Sequence, residues 1–217
     1  MNWQPIASLI VGYLIGSIPF GFLIARARGV DIRKVGSGNI GATNVWRMVG
    51  KAEGLGALGL DVLKGLVPVL VIAPWLGSEG RDLIAIAAGL GAVLGHAFSV
   101  FLKFKGGKAV ATSLGVMVSL VPWATLIAIG VFAIVVGASR FISLGSVLAA
   151  LALVVGEVLT VEAPFDPGGR LALTLFCALV AGLVIVRHRS NIVRLVKGTE
   201  SRFAFRHKSE KSRGEKT

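Results

Sequence analysis

The chain has 217 residues, of which 54% are hydrophobic, and a mean hydropathy of +0.81. About 45–50% apolar content is usual for soluble domains, and apolar runs as long as these do not occur in them, so an ordinary soluble fold is excluded and an all-α, polytopic membrane protein is expected. The formal charge of +12 falls almost wholly in loops and in the C-terminal stretch; it reads first as membrane topology and affinity for anionic lipid, and no nucleic-acid partner is expected.

Residues 4 to 25 form a first apolar run with no charge before Arg26. A cleavable signal peptide would need a positive start and a small-residue cleavage site, whereas Arg26-Ala27-Arg28 follows, so the run is expected to be retained with its N-terminus outside. The loop over 26 to 53 sets Arg26, Arg28, Arg33, Lys34, Arg47 and Lys51 against Asp31 and Glu53, which marks it as cytoplasmic. A second run, about 54 to 76, carries Asp61 and Lys64 one turn apart; unpaired in hydrocarbon they would be costly, so they are expected to pair with each other or to face a polar site. An acidic outer turn over 77 to 82 leads to a third run, 83 to 102.

The next run, 109 to 138, decides the topology. As one helix it would be about 45 Å long, too long for a hydrocarbon core of about 30 Å, and Pro122-Trp123 interrupts it. Counted as one span, it leaves the tail outside, yet residues 187 to 217 hold Arg187, Arg189, Arg194, Lys197, Arg202, Arg206, Lys208, Lys211, Arg213 and Lys216 against three acids. Splitting the run at Pro122 restores the positive-inside pattern and leaves Glu157, Glu162 and Asp166 external. About seven transmembrane helices follow, with the C-terminus cytoplasmic. Residues 1–200 read as a single transmembrane domain and 201–217 as a basic tail without fixed structure.

Four stretches on the expected cytoplasmic face carry residue types suited to chemistry. Gly36-Ser37-Gly38-Asn39-Ile40-Gly41-Ala42-Thr43-Asn44-Val45-Trp46-Arg47 can build a nest of backbone donors with Arg47 as a phosphate clamp, or a turn followed by a capped helix. Lys105-Gly106-Gly107-Lys108, just before an apolar run, outlines a phosphate site of glycine amides, lysine charge and a helix N-terminus. A nucleotide P-loop does not fit it, because Leu102 replaces the first glycine and Ala109 the metal-binding Ser/Thr; the bland alternative is a basic loop that sets orientation. His96 ends an apolar run and lacks the Asp of a His-x4-Asp motif, position 101 being Phe101, so it is either a substrate hydrogen-bonding group or a buried structural histidine.

Ser143 and Ser146 share one helical face after Arg140. Arg187-His188-Arg189-Ser190-Asn191-Ile192-Val193-Arg194-Leu195-Val196-Lys197-Gly198-Thr199-Glu200 exceeds what a stop-transfer segment needs. Cys177 is the single cysteine and His96, His188 and His207 are scattered, so no intramolecular disulfide, cysteine metal site or structural zinc site is expected, and no metal ligand is assigned.

Taken together, SGNIGATN with Arg47, GHAFSVFLKFKGGKAVAT, and RHRSNIVRLVKGTE closely resemble the three motifs of the bacterial acyl-phosphate:glycerol-3-phosphate acyltransferases, the PlsY family. The resemblance runs from the first span to about Glu200. It implies a seven-helix inner-membrane enzyme that moves a fatty acyl group from acyl phosphate to the sn-1 hydroxyl of glycerol 3-phosphate, yielding lysophosphatidic acid and inorganic phosphate without a cofactor. Membrane lipid, and enzymes that make acyl phosphate or add the second acyl chain, are the implied partners. Carried over, Ser37, Asn39 and Arg47 fall in the first motif, His96, Lys105, Gly106, Gly107 and Lys108 in the second, and Asn191, Arg194 and Glu200 in the third, with Ser143 between the last two. By residue type, Ser37, Arg47, His96, Lys105, Lys108 and Ser143 are the catalytic candidates and Asn39, Gly106, Gly107, Asn191, Arg194 and Glu200 the substrate-binding ones. Ala109 departs from the glycine common after the Lys-Gly-Gly-Lys run. Mechanistically the residues suit direct attack by the glycerol hydroxyl, the proton passing either to His96 or to the donor's own phosphate. A phosphate transporter is the competing class, disfavoured because the charged candidates lie at one membrane face.

Overall fold

A computed structural model describes residues 3–77, 81–167 and 170–203. The expected outer turn over 77–82 lies partly outside these residues, and positions 204–217 of the tail lie wholly outside them. The described chain is helical, without strands: α1 Gln4–Ser17, α2 Phe20–Ala27, α3 Ala42–Met48, α4 Lys51–Val67, α5 Ala73–Leu76, α6 Arg81–Ala97, α7 Val110–Leu120, α8 Pro122–Ser139, α9 Ile142–Thr160, α10 Leu171–Arg187 and α11 Arg189–Val196. Among the described residues, five helical stretches are long and apolar enough to cross a membrane: 4–27, 51–76, 82–102, 122–139 and 142–160. The α10–α11 pair, bent by 58°, is a sixth candidate, and α7 is a shorter apolar helix.

The break at Pro122 is present. Helix α7 leaves the end of the bundle that holds Lys108 and Val110, the chain reverses at Val121 (φ −138°, ψ 63°), and α8 runs back to Ser139 against α9. Eleven residues give α7 a length of about 16 Å, half a hydrocarbon core. The first span has a break the sequence reading did not place. Pro19 has no N–H to donate, α1 stops at Ser17 and α2 begins at Phe20. The exposed Ile18 carbonyl is met by Lys64 Nζ at 2.8 Å, and the Ser17 carbonyl accepts from Ser99 Oγ at 2.5 Å. Pro68, by contrast, only loosens α4 into a π-helical turn over Pro68–Ile72.

Packing between helices relies on small residues, as expected where apolar lipid cannot drive helices together. On α1, Gly12 and Gly16 lie against the Ala88 and Ala92 backbone of α6, and α6 answers with Gly91 and Gly95 against α1; Gly65 of α4 and Gly115 of α7 make the same reciprocal approach. The main core takes in Ala88 and Ala92 of the first crossing together with Val93, Val116, Met117, Val121, Phe176 and Val180. A second cluster, Ala25, Ile32, Ile40, Val45, Ala57 and Leu102, lies under the loop between α2 and α4 and anchors it to the bundle. At the opposite end of the molecule Arg170 Nε donates to Glu157 Oε1 at 2.8 Å, so a basic residue neutralises that buried acid.

Candidate active site

Asn44 organises the glycine-rich first loop. Its side chain is buried, its amide nitrogen reaches the carbonyls of Ile32 (3.2 Å), Val35 (3.1 Å) and Asn39 (2.9 Å), and its carbonyl accepts from Ser37 N at 3.0 Å. Gly36 and Gly38 take positive φ (59° and 69°), which L side chains rarely adopt, and Asn39 Oδ1 holds Gly41 N at 2.8 Å where α3 begins. Of the two sequence readings the turn before a helix start is the one seen: the N–H groups of Ser37, Gly38, Asn39 and Gly41 are engaged within the loop and form no nest of free donors, while Ser37 and Asn39 lie on the turn and Arg47 on α3.

The Lys-Gly-Gly-Lys turn works differently from expectation. Neither Gly106 nor Gly107 has positive φ among the described residues, and the Gly107 N–H is not free for an anion, because it donates to the His96 carbonyl at 3.0 Å. The glycines serve close approach: a Cβ on Gly106 would strike the His96 and Ala97 carbonyls, and one on Gly107 would strike His96 Nε2. From the other side Arg187 donates from Nη2 to Gly106 O (2.8 Å) and from Nε to Gly107 O (3.0 Å). The turn is thereby locked between α6 and α10. It delivers Lys108 and the first turn of α7 to the cavity. Ala109 sits at φ 62°, a conformation that glycine would adopt without strain.

The third stretch closes on Glu200. Its carboxylate accepts from Ser143 Oγ (2.7 Å), Asn191 Nδ2 (2.6 Å) and Arg194 Nε (2.7 Å), while Lys108 Nζ donates to Asn191 Oδ1. Residues beyond Glu200 fold back as well: Arg47 Nη2 donates to Ser201 O at 3.1 Å, and the Phe203 ring stacks at a tilt on Trp46.

These stretches enclose one cavity of about 840 Å³ lined by Ser37, Asn39, Arg47, His96, Lys108, Ser143, Asn191, Arg194 and Glu200. Nine of the twelve residues singled out in the sequence are thus brought together. Lys105 and Gly106 instead line an adjoining cavity of about 440 Å³ with Arg33, Arg187 and Arg189, and Gly107 lies beneath, against His96. Sequence reasoning did not place His188, Ser201 and Arg202 in the cavity, nor Arg187 on the glycine turn, whereas Asp61 both pairs with Lys64 and faces the cavity, the two expectations held for it. For Asp61 a signal existed, a carboxylate inside an apolar run; for Arg187 the many neighbouring cations masked it. Beside the large cavity lies an apolar crevice of about 240 Å³ between α7, α8, α9 and α10. The two share Val110, Ala111, Phe132 and Ser146.

Charge in the cavity is mostly positive. Burial, aided by Arg194, Arg47 and Arg187 and opposed by Glu200, pushes the Lys108 ammonium down to about 8. Burial would raise the Glu200 carboxyl, but hydrogen bonds from Asn191, Ser143 and Arg194 outweigh it and hold the group below its usual range. The arrangement can therefore bind an anionic, phosphate-like head beside a long apolar tail. Among the described residues no three His, Cys, Asp or Glu side chains converge as metal ligands.

The sequence profile described as glycerol-3-phosphate acyltransferase matches residues 6–198. A glycerol-3-phosphate acyltransferase of Geobacter sulfurreducens is 50% identical over 193 residues, covering 89% of this chain and 94% of that protein, and one of Desulforudis audaxviator is 48% identical over 91% and 96%. Among solved structures, the glycerol 3-phosphate form of PlsY (YgiH), an integral membrane glycerol 3-phosphate acyltransferase, superposes with a TM-score of 0.80 at 39% identity. That match covers 92% of this chain and 96% of the other. The lysophosphatidic acid form of PlsY gives 0.78 at 38%, over 92% and 95%.

Proposed function

The chain belongs to the glycerol-3-phosphate acyltransferase family of multi-pass membrane proteins, and from that premise we propose that its acyl donor is an acyl phosphate and its target the sn-1 hydroxyl of glycerol 3-phosphate. One observation carries this reading: a cation-lined cavity adjoins an apolar crevice between helices, the two sharing Val110, Ala111, Phe132 and Ser146 as a common wall. An acyl phosphate has that shape and polarity, a dianionic head on a hydrocarbon tail. The acyl chain lies in the crevice and reaches it from the bilayer. The phosphates of the two substrates lie among Lys108, Arg47 and Arg194, with Ser37 and Asn39 as hydrogen-bonding groups. Lys105 contributes field from the adjoining cavity, and Ser143, Asn191 and Glu200 brace the Arg194 and Lys108 positions.

Acyl phosphate is a mixed anhydride with a good leaving group, so orientation and charge stabilisation are the enzyme's main tasks. The glycerol hydroxyl attacks the acyl carbon, the new C–O ester bond forms as the acyl–phosphate C–O bond breaks, and the hydroxyl proton goes to the departing phosphate. His96 is not assigned as the base. Its Nε2 is faced by Gly107 and its Nδ1 by Asp61, so it serves to seat the glycine turn.

Residues 1–203 belong to the acyltransferase domain, because Ser201, Arg202 and Phe203 fold back onto the site instead of starting a free tail, and the basic sequence of 204–217 suits anionic lipid. Seven spans, an external N-terminus and a cavity open to the cytoplasm of a bacterial inner membrane agree with the placement of positive charge. The donor and product place the enzyme between one that makes acyl phosphates and one that adds a second acyl chain.

The test is acyl transfer by purified protein in lipid, with glycerol 3-phosphate and either palmitoyl phosphate or palmitoyl-CoA. Lysophosphatidic acid from the phosphate donor alone, acylated at sn-1, is the expected result; product from the thioester alone would overturn the donor assignment.

A further inference from the structure

Asp61 is an acid buried inside an apolar helix, and the reaction as described makes no use of it. It is 2% exposed, its neighbour Lys64 3% and His96 4%, yet Asp61 and His96 both line the large cavity. Lys64 Nζ lies 2.8 Å from Asp61 Oδ1 and donates to the Ile18 carbonyl, the group freed where Pro19 breaks the first span. On its other side Asp61 Oδ1 faces His96 Nδ1 at 3.6 Å. That is too long for a hydrogen bond but well within electrostatic reach, and His96 Nδ1 has no other hydrogen-bond partner. His96 in turn accepts the Gly107 N–H on its carbonyl and covers Gly107 with Nε2. A continuous chain of contacts therefore runs from the break in the first span, through α4, to the turn that carries Lys108.

We propose that Asp61 is a positioning residue for acyl transfer: fixed by Lys64, it orients the His96 imidazole and through it the Gly106–Gly107 turn that sets Lys108 in the cavity. The chemistry gives it a reason to be there. A carboxylate beside Nδ1 selects the tautomer that carries its proton on Nδ1 and leaves Nε2 without one, and this unprotonated edge is the face on which Gly107 packs. Lys64 balances the charge and ties the same carboxylate to the start of α2, which leads into the loop bearing Ser37 and Arg47. One buried pair thus keeps the first and second catalytic stretches in register.

The proposal rests on the acyl-transfer reading, and its test separates the two. Asp61→Asn and the double variant Asp61→Asn/Lys64→Gln would be compared with the unaltered protein in the palmitoyl phosphate assay. The second variant removes both buried charges together and keeps a side chain able to donate to Ile18. Its thermal stability, unlike that of the single variant, should match the unaltered protein. Histidine ring nitrogens would be observed in parallel by 15N NMR, where only His96, His188 and His207 contribute.

Expected are a fall in kcat of at least tenfold in both variants, a KM for glycerol 3-phosphate within threefold of normal, and a changed tautomer balance at His96. Recovery of kcat in the double variant would reduce Asp61 to half of a neutral internal pair and overturn the proposal. An unaltered His96 spectrum in Asp61→Asn would do the same. Should the unaltered protein transfer no acyl group from palmitoyl phosphate while His96 still responds to Asp61→Asn, the donor assignment fails and the positioning link stands.

Discussion

Two walls of the same cavity are built on different principles. The Lys-Gly-Gly-Lys turn is held by backbone: Gly107 N–H on the His96 carbonyl, the Gly106 and Gly107 carbonyls on Arg187, and no room for a Cβ at either glycine. The neighbouring wall, joined to it by Lys108 on Asn191, is held by side chains, with Ser143, Asn191 and Arg194 meeting on the Glu200 carboxylate. Crowding at either glycine disturbs the whole turn at once, because His96 packs against one side of it and Arg187 holds the other. A side-chain wall loses one bond at a time. The first suits the element that must place a charge at one point.

Gly107→Ala probes the first wall most severely. The new methyl meets His96 Nε2, and shifting either partner costs about 1–3 kcal/mol of overpacking in a turn held from both sides. A loss of activity beyond a hundredfold, with a measurably lowered Tm, is expected; near-normal kcat would show that the turn is not rigid. Lys108→Ala keeps the turn and removes its charge. Loss of one group that stabilises developing negative charge typically costs a factor of about 10²–10³ in kcat, here with Tm retained, and wild-type turnover would exclude Lys108 from the charge clamp.

On the side-chain wall, Glu200→Gln keeps the Ser143 and Asn191 partners but gives up the charge facing Arg194. A charged hydrogen bond contributes about 1.5–3 kcal/mol, so kcat/KM should fall roughly tenfold, and equal damage from Glu200→Gln and Gly107→Ala would erase the contrast between the walls. The gentlest probe is pH. Lys108 is protonated below about 8 and neutral above it, so kcat/KM should fall as pH rises through that value. In Lys108→Arg, whose guanidinium stays charged, the falling limb should move upward; an unmoved limb would assign it to another group.

The sequence was most legible where a residue type has few other uses. Glycines between Ser37, Asn39 and Asn44, paired lysines around Gly106-Gly107, and Asn191 with Glu200 in a stop-transfer position all pointed to the site, and the structure collects nine of the twelve expected residues in one cavity. The purpose of the glycines was legible only in part. Gly106 and Gly107 suggested free amides, but their role comes from how closely α6 and α10 approach, a distance no local pattern encodes. Asp61 was visible as an anomaly in an apolar run, whereas its partner His96 lies on another helix. Pro19 broke its span and Pro68 merely loosened one, since a lysine from α4 stands ready for the carbonyl freed beside the first.

Composition and periodicity alone determined an all-helical membrane chain with its reactive residue types gathered at one end, because hydrocarbon admits only apolar residues and a helix satisfies its own backbone locally. Tertiary structure decided which of those residues touch. Lys108 meets Asn191, Ser143 meets Glu200, and Asp61 faces His96 across separations of 35 to 83 positions, set by small-residue helix crossings whose depth depends on both partners at once.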